Sequence, residues 1–376
     1  MISFTHDFIM TLIQAAEECG IPACTMSIFR TGEEIFTAAI GECHEGTLFD
    51  LASVTKLFTS SAFLQLADRG MVRPEDPVCA VLREFQGLRE IRPFPEPLIE
   101  GHVRDVSGGF SLSVPAEKTT FSQLLTHSSG LPAWLPLYKL TSVEAIRDEV
   151  MQTHFSYQPG SDVVYSDIGL ILTGWAVEAL CGCPLDTAIR ELVTAPLGLD
   201  SIRFRRLNDE MKAEDPLPRE GIAPTDICHW RGYRLIGEVE DENCAALRGV
   251  SGHAGLFGTA HDLAAFGTAF LPGSDFLKQD SLQNMTSLRM SSRDGSAGRG
   301  YGFQHWSADS EAFFYPMSSQ SFGHTGFTGT AIWIDPDRDI SAALLTNEVY
   351  NGRYNRRIAE FRRKVFAGLP AFLEEV

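Results

Sequence analysis

Ser53 and Lys56 stand three residues apart in Leu51-Ala52-Ser53-Val54-Thr55-Lys56, a spacing that puts a hydroxyl and an amine on one face of a helix start. A serine hydroxyl is a weak nucleophile at neutral pH, and a lysine held out of water within hydrogen-bond reach can take up its proton. The plain alternative for Ser53 is a helix cap, the usual role of a serine before an apolar helix. Lys56 speaks against that alternative, because a lysine in the first turn of a buried helix is disfavoured by both the dipole and desolvation. Two later clusters carry related chemistry, Tyr165-Ser166-Asp167 and His324-Thr325-Gly326. Ser166 or Asp167 would cap the apolar helix that follows. In the functional reading, Tyr165 approaches Ser53 as a proton relay and Asp167 holds Lys56. His324 opens a strand that also contains Gly323, Gly326 and Gly329. Such glycines weaken a sheet unless something must come close to the backbone, and a substrate laid along the strand would be that partner.

The elements that must position these residues follow from periodicity. Phe8, Ile9, Leu12, Ile13 and Ala16 recur at helical spacing up to Gly20. Residues 25–29 and 34–40 then alternate around a turn at 30–33, a hairpin pattern. The far end of the chain repeats the arrangement, with strands over 329–334 and 340–346 and a last helix carrying Ile358, Phe361, Val365 and Phe366 on one face. One antiparallel sheet with both terminal helices packed on it is the economical solution. Residues 1–65 and 285–376 are thus expected to form an α/β lobe and residues 66–284 an inserted, mainly helical lobe, with the active site in the cleft between them. Leu57, Phe58, Ala62, Phe63, Leu64 and Leu66 surround the helix after Ser53, so it should be buried. Loops near 90–118, 206–248 and 307–320 are expected to line the cleft.

Composition narrows the function classes. The 376 residues carry 49 acidic and 31 basic side chains, a formal net charge of −18, which argues against nucleic acid and anionic membranes as partners. Eight cysteines are too sparse for a disulfide framework, and Cys181-Gly182-Cys183 lacks the partner pair of a zinc site. Reduced, mostly buried thiols are expected. No basic residue precedes the first apolar stretch, which does not read as a secretory signal, so the expected location is the cytoplasm.

Taken in order, the three clusters resemble the Ser-x-x-Lys, Tyr-x-Asn and Lys-Thr-Gly elements of the serine β-lactamase and penicillin-binding-protein superfamily. Leu124-Leu125-Thr126-His127-Ser128-Ser129-Gly130, Gly252-His253-Ala254-Gly255-Leu256-Phe257 and Gly323-His324-Thr325-Gly326-Phe327 resemble segments of its class C β-lactamase-related branch, which includes family VIII esterases and D-amino-acid-specific peptidases. The resemblance implies an α/β lobe built from both chain ends, an acyl-enzyme on Ser53, Lys56 with Tyr165 as the proton-transfer pair, and no need for a metal or organic cofactor. The amides of Ser53 and Phe327 would form the oxyanion hole, and Asp167, His324, Thr325 and Gly326 would bind substrate. That substrate would be a small ester, amide or β-lactam. Asp167 stands where the family often has Asn, and His324 where it usually has Lys. Loss of that permanent cation, replaced by a titratable one, suggests a preference for neutral esters or small amides over carboxylate-bearing substrates, and loss of activity on esters below about pH 6 is expected if an essential proton acceptor titrates there. A D-amino-acid peptidase or D,D-carboxypeptidase, or a catalytically silent binding protein on the same fold, are the alternative readings.

Overall fold

The computed structural model describes residues 2–375 apart from 97, 98, 100, 110–112, 215–218 and 355. The elements that position the site are α1 (Ile2–Cys19), β1 (Ala23–Arg30), β2 (Glu33–Gly41), β3 (Phe49–Asp50), α2 (Thr55–Asp68), α3 (Phe121–Leu125), α4 (Asp167–Cys181), α5 (Glu242–Ala246), β4 (Leu256–Gly258), α6 (Ala260–Thr268), β5 (Met290–Ser291), β6 (Gly298–Arg299), β7 (Gln304–His305), β8 (Phe322–Thr325), β9 (Ala331–Asp335), β10 (Ile340–Thr346) and α7 (Ile358–Glu375). The fold is mixed α/β around an antiparallel sheet of order β5-β6-β7-β8-β9-β10-β1-β2. The two ends of the chain meet at its centre, where Cys24 pairs with Thr346 and Ile28 with Ala342.

Alternation divides these strands between two cores. Met26, Ile28, Ala342 and Leu344 face the terminal helices, where they pack with Phe8, Leu12, Phe361 and Phe366. Ile332, Ile334, Ala343 and Leu345 join a second core with α2, α4 and α6. Helix α6 lies so close to the sheet that a Cβ on Gly267 would sit 2.0 Å from Ser341 Oγ. The 307–320 segment is packed rather than open, since Phe314 stacks on Trp333 with centroids 4.1 Å apart.

Helix α2 is enclosed on all sides, as its apolar pattern requires: Leu57, Phe58, Ala62, Phe63 and Leu64 have no measurable exposure. Its polar groups bond locally, with Ser61 Oγ donating to Leu57 O at 2.8 Å and Thr59 Oγ1 to Gly252 O at 2.9 Å. Gly252 is pressed against α4, where a Cβ would fall 2.1 Å from Leu170 O and 3.0 Å from Gly174 Cα. The turn at Gly252 and His253 is thereby pinned between α2 and α4.

Gly252→Ala is expected to lower stability by about 2–3 kcal/mol, because backbone on both sides must move to admit the methyl group. Urea unfolding monitored by tryptophan fluorescence reads this directly, and an unchanged midpoint would show that the contact is soft.

Candidate active site

Ser53 lies in a single 3-10 turn, Ala52–Val54, that runs straight into α2. It does not cap that helix: neither the turn nor α2 has a side-chain cap bond. Among its neighbours Leu51, Ala52, Val54, Thr55 and Lys56, all buried, Ser53 alone keeps partial exposure. Ala52 just before it has φ +47°, a left-handed conformation that costs a residue with a Cβ roughly 1–2 kcal/mol. Asp50 secures this turn. One carboxylate oxygen accepts the Ala52 N–H at 2.8 Å and the other the Glu240 N–H at 2.6 Å. Burial raises the Asp50 carboxyl to about 6 against the pull of those two donors.

Lys56 is wholly buried, yet every proton of its ammonium has an acceptor. Nζ lies 2.9 Å from Ser53 Oγ, 2.9 Å from His253 O and 2.7 Å from Asp167 Oδ1. Burial alone would lower its pKa, but Asp167 and Tyr165 outweigh that and leave it above the ordinary lysine value. Asp167 starts α4, and here the capping alternative holds for Ser166, whose Oγ accepts from Gly169 N at 3.3 Å. Tyr165, one residue earlier, turns its ring to within 4.8 Å of Lys56 Nζ. Its hydroxyl is buried beside Lys56 and Ser53 without an aligned hydrogen bond in the resting arrangement. Burial raises the Tyr165 pKa and the Lys56 cation only partly offsets the rise.

His253 is held by both ring nitrogens, Nδ1 2.8 Å from Ser251 Oγ and Nε2 2.9 Å from Asp241 Oδ1. The same Asp241 oxygen caps α5 through Cys244 N at 2.7 Å. Asp167, Asp241 and His253 lie within 4.8 Å of one another, a spacing that could suit a metal. The Lys56 ammonium already occupies the cation position at Asp167.

His324 and Thr325 end β8, and His324 is buried with Nδ1 2.8 Å from Thr325 O. Burial, then the nearby Arg299 and Lys56 cations, push its pKa well below the ordinary histidine value. Both causes disfavour an imidazolium at this position. Gly326 is required at its position, where a Cβ would meet Thr330 Oγ1 at 2.1 Å and Leu51 O at 2.6 Å. The loop behind it is stapled to the Ser53 turn, with Thr328 Oγ1 donating to Asp50 O at 2.6 Å and Thr330 Oγ1 to Leu51 O at 3.1 Å. Among the described residues, neither the Ser53 nor the Phe327 amide N–H has an acceptor within the chain. Both residues line one cavity of about 460 Å³, together with Tyr165, Asp167, His324 and Arg299.

Arg299 is the group that sequence reasoning missed. It sits on β6, 8% exposed, with its guanidinium carbon 5.3 Å from the centre of the Tyr165 ring. Nε and Nη1 are buried without partners. Only its strand neighbours place it here, and β6 is two residues long, too short to show a period. Of the loops expected to line the cavity, the 206–248 segment does so through Glu240, Asp241 and Glu242. Among the described residues, 90–118 and 307–320 contribute none, and Arg353, Arg356 and Arg362 near the C-terminus take their place.

The family model described as Beta-lactamase matches residues 9–366. The chain belongs to the β-lactamase family. A protein of Escherichia coli (strain K12) named "Putative D-alanyl-D-alanine carboxypeptidase" is 28% identical over 369 residues, covering 89% of this chain and 80% of the relative. An N-acetylmuramyl-L-alanine amidase of Bacillus subtilis (strain 168) is 30% identical over 373 residues, covering 90% and 79%. The solved penicillin-binding protein homologue from Pyrococcus abyssi shares the fold with a TM-score of 0.69 at 20% identity, over 98% of this chain and 77% of that one. The protein is a β-lactamase-fold serine hydrolase.

Asp50→Asn is expected to destabilise the protein by about 1–3 kcal/mol, because an amide N–H₂ would face either the Ala52 or the Glu240 N–H in a buried site. Chemical unfolding at pH 7.5 measures the loss. A variant as stable as the parent would show that the two amides find other acceptors.

Proposed function

We propose that this hydrolase cleaves amides whose leaving group carries a carboxylate, through an acyl-enzyme on Ser53. The observation that carries the reading is Arg299, a buried guanidinium with two unpartnered N–H groups in the cavity wall. Leaving a charge buried and unpaired is costly, so the site gains most from a ligand that supplies an anion. Arg299 stands over Tyr165, the group placed to hand a proton to the departing nitrogen, which puts the anion on the leaving side. The names of the relatives, a carboxypeptidase and an amidase, agree with amide substrates. The missing lysine at position 324 thus has a substitute two strands away, since β7 pairs with both β6 and β8.

The chemistry follows from the geometry. The substrate carbonyl oxygen sits between the free amides of Ser53 and Phe327, and Thr325 borders the open part of β8. Ser53 Oγ attacks the carbonyl carbon, and its proton passes to the Lys56–Tyr165 pair. Lys56 is held as an ammonium by Asp167, so the base is Tyr165 in its phenolate form, the minor species at neutral pH: its oxygen receives the Ser53 proton and then gives it to the leaving nitrogen as the C–N bond breaks, which restores the phenolate. Water enters where the amine left, loses a proton to the same pair, and releases the acid while Ser53 regains its hydrogen.

Intact-protein mass spectrometry after a fluorophosphonate probe should show one adduct that Ser53→Ala abolishes; an adduct that survives Ser53→Ala would refute the assignment of the nucleophile. Arg299→Met should lower kcat/KM roughly 10–100-fold for an N-acyl dipeptide with a free carboxylate and by less than about threefold for a p-nitrophenyl ester, the cost of one lost charged hydrogen bond. Equal losses on both substrates would favour the neutral-ester reading.

Because both Lys56 and Tyr165 are raised, the pair holds its protons at neutral pH, and kcat/KM should climb about tenfold per pH unit above pH 7 until the pair titrates. Asp167→Asn removes the carboxylate that raises Lys56, so the climb should move to lower pH. A profile that is flat from pH 6 to 9 in both proteins would contradict the assignment of the pair.

A further inference from the structure

Arg362 is a second buried arginine at this cavity, and no catalytic proposal above uses it. It projects from the start of α7, 7% exposed. Among the described residues no carboxylate lies within ion-pair distance of it. Its bonds go to backbone instead: Nη2 donates to Thr330 O at 2.6 Å and, more weakly, to Gly326 O at 3.4 Å, while Nε has no partner. Burial and the neighbouring Arg356 push its pKa down to about 9. A buried guanidinium spent on two carbonyls is a poor stability device. Those carbonyls, however, bracket one short loop, 326–330, which closes on itself through Gly326 N to Thr330 O at 2.7 Å and Gly329 N to Gly326 O at 3.1 Å.

That loop carries the Phe327 N–H. In a trans peptide the N–H points opposite to the carbonyl of the same unit, so whatever holds Gly326 C=O also aims the Phe327 N–H. Gly326 C=O is held by Gly329 N–H on one side and Arg362 on the other. The next carbonyl, Phe327 C=O, accepts from Arg356 Nη2, whose guanidinium also covers the Phe327 ring at 4.5 Å and pairs with Glu348 at 2.6 Å. Three carbonyls of the loop thus face arginines from the C-terminal segment, while its free amide faces the cavity.

We infer that Arg362 is a positioning residue for the oxyanion hole: by holding Gly326 and Thr330 carbonyls it aims the Phe327 amide at the substrate oxygen, and its positive charge behind that peptide makes the N–H a stronger donor to an oxyanion. The effect belongs to the transition state, where the oxygen gains charge, and little to the ground state. The inference rests on the acyl-enzyme reading, with Phe327 N–H as one donor.

The test uses the whole protein with p-nitrophenyl acetate as substrate and an arylboronic acid as the tetrahedral mimic. Arg362→Met keeps the apolar stem and removes the charge; since that charge is buried and unpaired, the melting temperature should hold or rise. kcat should fall about 10–100-fold at nearly constant KM, and boronate inhibition should weaken in proportion to kcat/KM, the cost of a misaimed oxyanion donor. Arg362→Lys, which keeps a cation but can hold one carbonyl less firmly, should fall between the two. If wild type hydrolyses the ester and Arg362→Met retains kcat within about twofold, the inference fails while the acyl-enzyme reading stands. It fails equally if the loss appears in KM alone, or if both variants lose melting temperature and activity together, since Arg362 would then be a structural tie. A wild type that neither reacts with the fluorophosphonate nor hydrolyses the ester overturns the parent reading.

Discussion

A lysine ammonium with no solvent exposure can exist only where the chain supplies an acceptor for each of its protons, and this requirement organises the centre of the molecule. The three acceptors around Lys56 come from the turn before α2, the first residue of α4 and the carbonyl of His253. Those segments are far apart in sequence and must converge within hydrogen-bond distance of one nitrogen. The rest of the local structure serves that convergence. Gly252 and Gly174 let the turn that carries His253 approach α4, Ser166 starts α4 so that Asp167 falls in its first turn, and Asp241 fixes His253 from behind. With the lysine in place, Tyr165 has a cation beside it and Ser53 has a partner for its hydroxyl.

A second set of contacts joins the nucleophile turn to the loop after β8. Asp50 and Leu51 accept from Thr328 and Thr330, so the residues that carry the two free amides are stapled together rather than placed independently. The strained backbone at Ala52 is held by the Asp50 carboxylate, which reaches on to Glu240. The surroundings of the cavity are electrostatically mixed. Arg353 meets Asp226, Glu240 and Glu242 in one cluster, at 2.6–2.8 Å, whereas Arg299 and Arg362 have no acid at that distance among the described residues. Unpaired cations inside a protein of net charge −18 are local decisions of the fold, and both border the same cavity.

The residues legible in the sequence were those whose chemistry forces close spacing. Ser53 and Lys56 must share a helix start, and Tyr165 and Asp167 must open an apolar helix; each therefore leaves a short pattern. The sheet was legible for a similar reason, because β1, β2, β9 and β10 are long enough to alternate. Arg299, Asp241 and Arg362 left no such mark. They reach the site through the pairing of two-residue strands, a cap on a five-residue helix and the packing of α7, all set by tertiary contacts rather than by local period. His324 differs again: it lines the cavity beside Thr325 and Gly326, but its surroundings, burial and an arginine two strands away, are set by tertiary contacts that no local pattern shows.

Strand β1 is central because β2 lies on one side of it and β10, more than 300 residues later, on the other. During synthesis the β1–β2 hairpin therefore waits with one edge unpaired until residues 340–346 have emerged from the ribosome. Loop closure over such a distance is slow, and the exposed edge is a place for other chains to add. A nascent chain that reaches only Thr346 has no α7 to cover the sheet and no Arg362 behind Gly326. A chaperone that shields the β1 edge would act in the interval before β10 pairs with it.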